Sequence, residues 1–187
     1  MKKELIVALR FTLVTTLVFG LIYPLCMTGL SQLLFPRQAA GSLIEKNGHI
    51  IGSKLIGQSF TSDKYFHSRP SAAGTGYDAS ASSPSNLAPT NQALIDRVKS
   101  DVAKLQQENP GAAIPADLVT SSGSGLDPEI SPASADFQIP RIAKARGISV
   151  DSLKVLVARH TRARALGIFG EPRVNVLELN LDLDSLK

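Results

Sequence analysis

The sequence is poor in the groups that cross-link small proteins. Cys26 is its only cysteine, so no disulfide closes within the chain. Three scattered histidines (His49, His67, His160) without a second thiol argue against a structural zinc site. Tryptophan is absent. Disorder is excluded as well: 43% of the 187 residues are hydrophobic and 19% are charged, whereas disordered chains combine low hydrophobicity with high net charge. The length suits one ordinary domain. The most informative absence is that of charge between Arg10 and Arg37.

Residues 11–36 form 26 consecutive uncharged positions, mostly Leu, Val, Phe, Ile and Thr. A bilayer-spanning helix needs about 20. A cleaved signal peptide has a shorter apolar stretch, about 7–15 residues, followed by small residues at the cleavage site. Here the exit reads FPRQAAG, with Gln38 where a small residue would be needed. The run therefore reads as a retained anchor, with Gly20, Pro24 and Gly29 as candidate kink positions. Lys2, Lys3 and Arg10 precede it, and Arg37 alone lies in the ten residues after it. Because basic residues collect on the cytoplasmic flank, the amino terminus is expected inside. The expected organisation is 1–37, a short cytoplasmic terminus and anchor helix, then 38–187, an extracytoplasmic domain.

That second part carries 16 basic and 15 acidic residues, a net of +1, so no global field attracts nucleic acid or anionic lipid. The basic residues are unevenly spread: Arg141 to Arg173 holds eight against Asp151 and Glu171. Asn47-Gly48 between short apolar segments predicts a hairpin of two strands. Asn91 to Glu108 places Ile95, Val98, Val102 and Leu105 on one helical face, with Thr90 as cap and Asn109-Pro110-Gly111 as stop. At the far end Leu177, Leu179, Leu181 and Leu183 alternate with polar residues, the period of a strand, with a bulge at Val176-Leu177. The Gly/Ser/Pro-rich stretches 71–91 and 115–141 contain apolar anchors and read as ordered loops. The fold class expected is α+β: one N-terminal transmembrane helix followed by a small sheet with helices packed on it.

Three local patterns suggest chemistry. Gly52 to Ser59 has P-loop glycine spacing, but Gln58 stands where the phosphate-neutralising lysine belongs. Ser121 to Asp127 is serine-rich, yet Ser122-Gly123-Ser124-Gly125 does not match the nucleophile elbow, and His67 or His160 would be an arbitrary base. Pro140 to Gly167 reads as a helix ended by Gly147, a turn, and a helix capped by Ser149 with Leu153, Leu156 and Val157 inward. This is helix-turn-helix grammar, and Lys154, Arg159, Arg162 and Arg164 would be its DNA contacts. The alternatives are a membrane-anchored DNA-binding regulator, or an αα-hairpin with a solvated basic face, favoured because a domain outside the membrane meets no DNA.

The apolar run, GSKLIGQSF, YFHSRPSAAG, GYD, SNLAPTN, PADLVTSSGSGLDPEISPASADFQIPRIAKARG and PRVNVLELN, in that order, strongly resemble the C subunit of the Kdp-type potassium-transporting ATPase. The departures are few: the family more often has glycine where Pro84 and Ala88 stand. The resemblance implies an accessory subunit in a bacterial inner membrane. Its partners would be a channel-like potassium-translocating subunit and a P-type ATPase subunit, with no nucleic acid. It implies no hydrolysis by this chain, which also lacks the phosphorylated DKTGT motif. For such subunits a role as catalytic chaperone has been suggested, raising the ATP affinity of the hydrolytic subunit; Gln138 would then be the nucleotide contact and ATP the cofactor. The expected topology opposes direct contact, since ATP is cytosolic. Asp63, Asp78, Asp127 and Glu129 lie in expected loops, where they either enrich cations near a pore or act as solvated turn formers.

Overall fold

The computed structural model describes residues 1–186, and the chain divides into two units, Met1–Ile51 and Gly52–Lys187. In the first unit, α1 (Lys2–Thr15), a π-helical stretch (Thr16–Ile22) and α2 (Tyr23–Leu34) run on as one 33-residue helix. No residue of it is buried. At about 1.5 Å per residue it exceeds a roughly 30 Å hydrocarbon layer. The wide π turn directly precedes Pro24 and contains Gly20. A proline ring clashes with the preceding turn and supplies no N–H, and one widened turn absorbs both defects without breaking the helix. A short helix α3 (Pro36–Ala39) follows.

Strands β1 (Leu43–Lys46) and β2 (His49–Ser53) pair as the expected hairpin. Asn47 (φ 54°) and Gly48 (φ 78°) are both left-handed, as a type I′ turn requires.

Among the described residues, the second unit is built on four α-helices and three very short strands. Helix α4 (Gln92–Glu108) matches its expected span, but Asn91 rather than Thr90 caps it, its side chain accepting the Ala93 N–H. Its apolar face is only half-buried. Strand β3 (Glu129–Ile130) leads into α5 (Pro132–Arg146), which starts eight residues before the expected Pro140. Ser131 caps α5 by accepting the Ser134 N–H, and Pro132 occupies the first turn, where a missing N–H costs nothing. Pro140 lies inside the helix but on its exposed face, so the carbonyl it leaves unbonded faces water. Gly147 (φ 68°) closes α5, and Ser149 caps α6 (Val150–His160), as the sequence indicates. Strands β4 (Thr161–Arg162) and β5 (Arg173–Asn175) complete an antiparallel sheet of order β3-β5-β4.

The expected C-terminal strand is instead helix α7 (Val176–Leu183), and no bulge exists at Val176-Leu177. Asn175 caps it by accepting the Glu178 N–H, and the buried set Val176, Leu177, Leu179, Asn180 and Leu183 follows helical spacing. Asn180 turns inward rather than outward, which is why alternation misled. The core joins Ile139 and Ile142 of α5, Leu153, Leu156 and Val157 of α6, Val174 of β5, Val176, Leu179 and Leu183 of α7, and Phe66.

Candidate functional site

Phe66 and its neighbours belong to no helix or strand, and buried backbone groups must still be paired. Two side-chain amides supply the pairing. Asn180 accepts the Phe66 N–H at 2.8 Å and donates to its carbonyl at 2.9 Å. Gln138, from α5, accepts the His67 N–H at 2.7 Å and donates to its carbonyl at 3.1 Å. Each amide thus acts as a one-residue strand partner. Gln138 further donates to Ser134 O at 3.2 Å and accepts from Arg141 at 2.8 Å. Its side chain is 2% exposed and all four of its hydrogen-bonding positions are engaged inside the fold.

Arg141 extends the grip, donating to Asp63 O at 2.6 Å and Tyr65 O at 3.0 Å while pairing with Glu108 of α4 at 2.9 Å. Arg146 donates to Lys64 O at 2.6 Å, pairs with Asp184 at 2.7 Å and lies 4.8 Å above the Tyr65 ring. His67 is enclosed here. Burial, and then the Arg141 charge, hold its imidazole below its ordinary pKa, against the Ser62 carbonyl that its ring contacts at 3.0 Å.

The expected loops 71–91 and 115–141 are tied down by hydrogen bonds up to residue 128, whereas 129–141 is not loop but strand β3 and the first turns of α5. Arg69 pairs with Asp127 at 2.9 Å, and the Tyr77 hydroxyl donates to Arg69 O. Ser71 donates to Gly125 O at 2.5 Å and Ser83 N–H to Ser124 O at 3.1 Å. Asp117 receives Ser131 N–H at 2.7 Å and Ser134 Oγ at 2.5 Å, which sets a carboxylate at the start of α5. Burial pushes that carboxyl up, but the serine hydrogen bonds outweigh it and the pKa is lowered.

The candidate chemistries fare differently. The P-loop-like glycines are close-approach positions: a Cβ on Gly57 would sit 2.6 Å from Asp127 O and one on Gly52 2.9 Å from Leu177, and no helix follows them. In the serine loop, Ser124 Oγ accepts Leu126 N–H, while His160 pairs with Asp182 at 2.8 Å and His67 contacts the Ser62 backbone carbonyl, so neither histidine serves a serine hydroxyl. In the helix-turn-helix region α5 and α6 pack as an αα-hairpin, Arg162 is bound to Glu178 and Arg164 to Glu171. Asp127 and Glu129 line an open groove of about 740 Å³, but each is paired with an arginine, Arg69 and Arg173. Asp78 caps its own turn through Ser80, and Asp63 enters through its backbone. Among the described residues no cluster of three or more histidine, cysteine or carboxylate side chains is arranged to hold a metal.

The residues that sequence reasoning missed are Asn175, Asn180, Arg141 and Asp117. Asn175 with Glu178 three positions on is a capping signature visible in the sequence; the others needed the fold.

Residues 5–185 match the family model described as KdpC: K+-transporting ATPase, c chain. A potassium-transporting ATPase KdpC subunit of Koribacter versatilis is 60% identical over 98% of this chain and 95% of its own. One from Rhodopseudomonas palustris strain BisB18 is 57% identical over the full length of both, and one from Acidobacterium capsulatum 57% over 96% of each.

Proposed function

Because the chain belongs to the KdpC family of potassium-transporting ATPase subunits, we propose that it is a non-catalytic accessory subunit of an ATP-driven potassium uptake pump. In this reading the helix Lys2–Leu34 anchors it in a bacterial inner membrane with the amino terminus cytoplasmic, and residues 38–187 lie outside. There they contact a channel-like potassium-translocating subunit and a P-type ATPase subunit and help the complex assemble. The observation that carries the reading is the full-length family match, joined to an apolar helix with no buried residue. The second unit supports a scaffold: among the described residues its buried polar side chains have partners, and Ser124, His67 and His160 are each engaged elsewhere than with one another.

The test is association and sidedness. Extracted in mild detergent at native expression, the chain should copurify with larger membrane subunits, and protease added to intact spheroplasts should cut the second unit. A chain that purifies alone, or is protected, sinks the proposal.

An effect on ATP affinity, in this picture, reaches the hydrolytic subunit as coupling between sites rather than through Gln138. The saturated amide supports that version: a nucleotide at Gln138 would have to displace bonds that hold His67 and Arg141. ATP raising the thermal midpoint of the purified chain by itself would favour direct contact instead.

A further inference from the structure

Strands β4 and β5 are the legs of a hairpin whose connection, residues 163–172, leaves the body of the second unit. Ala165 and Phe169 exchange hydrogen bonds of 2.8 and 2.9 Å across its end, and Leu166 (φ 53°) and Gly167 (φ 74°) turn the chain between them. Leucine in the left-handed region is sterically disfavoured. The fold nevertheless holds it there, and strain of this kind collects at functional positions. The turn presents Leu166, Ile168 and Phe169, which are 88%, 74% and 63% exposed. Nothing in their own unit covers them, and the Ala165–Phe169 bridge makes their arrangement preorganised rather than floppy.

The charges around this tip indicate what it meets. Arg162, Arg164 and Arg173 flank it, and each is bound to a carboxylate of the same unit, Glu178, Glu171 and Glu129, at 2.7, 2.6 and 2.9 Å. An anionic lipid surface draws unpaired cations. Glu178 is shared with Lys54, so the rim is ion-paired throughout; an ion-paired polar rim around an apolar, partly aromatic centre is the anatomy of a protein interface, where a few anchors carry most of the binding energy.

The geometry points to this tip as a plug that enters an apolar, uncharged pocket on another protein subunit of the same ATPase. This rests on the accessory-subunit reading above and names the surface through which it acts. The tip's exposure makes it separable from folding: substitutions there remove no core contact.

Two measurements on the full complex test it. With the photoreactive analogue p-benzoylphenylalanine in place of Phe169, irradiation of membranes should join the chain to another subunit. The same analogue at Val155, exposed on α6, serves as the comparison position. The double variant Leu166→Ser, Phe169→Ser should keep the wild-type thermal midpoint and lose about tenfold of the copurifying subunits. Adducts of lipid mass, crosslinking no stronger than at Val155, or undiminished copurification of the double variant would each overturn the plug. Failure of the wild-type chain to copurify with any subunit would instead sink the accessory-subunit reading itself, and the plug with it.

Discussion

Along Lys2–Leu34 the leucines, valines and phenylalanines are all exposed, whereas in α5, α6 and α7 most residues of the same types are covered, with Val150 and Val155 as exceptions, and the charged side chains stay at the rim. The two regions teach that solvent, rather than composition, decides which way an apolar residue faces. The first region satisfies every backbone group within one helix and needs no core. The second must bury apolar area, and in doing so it also buries backbone of a segment that has no regular structure. Its answer is the pair of amides at Gln138 and Asn180, a device with no counterpart in the anchor.

The contrast is broken most severely at Asn180. Asn180→Leu leaves the N–H and C=O of Phe66 buried without partners, at about 1–3 kcal/mol each. Equilibrium denaturation should show the loss, and an unchanged midpoint would mean that water replaces the amide. Next, Ile142→Ala in the same core should cost about 2–5 kcal/mol, read as a fall in thermal midpoint with membrane association intact. The converse change belongs to the anchor: Val18→Arg should cost insertion about 2.5–3.5 kcal/mol and move protein into the alkaline-extractable fraction while the second unit stays folded. A smaller effect, about 1 kcal/mol, is expected for Asn175→Ala, which removes the α7 cap.

The least disruptive probe is pH. His67 is held below its ordinary value near 6.5 by burial and the Arg141 charge, partly offset by Glu108 and Asp63. The unfolded chain therefore binds this proton more readily than the folded one. Stability from the neutral imidazole is complete above pH about 6.5 and declines as pH falls from there through the folded value. His67→Phe should flatten that part of a stability–pH curve. An identical slope in the variant would assign the acid sensitivity to other groups.

How much of this was legible in the sequence follows from what each signal depends on. The long apolar helix, the Asn47-Gly48 hairpin, the Gly147 stop and the Ser149 cap are local, and the chain folds as they indicate. Leu153, Leu156 and Val157 are buried as their spacing requires. The C-terminal helix failed because Asn180 looks like a surface residue until its distant partner is known. Helix α5 was truncated because Pro140 reads as a boundary, and only the exposed setting of its face shows why it is tolerated. Gln138 was legible as special, but the resemblance alone offered it a nucleotide; its saturated amide became visible only with the segment it holds. The apolar hairpin tip carried no signal at all, since Leu, Ile and Phe in a sequence ordinarily mean core.

Asn180 grips a residue 114 positions earlier in the chain. A polypeptide made from its amino terminus exposes Phe66 long before Asn180 exists. Gln138 can take hold of His67 once α5 is made, but the Phe66 backbone must wait for more than a hundred further residues, and any truncation ahead of α7 leaves that half of the segment without its latch.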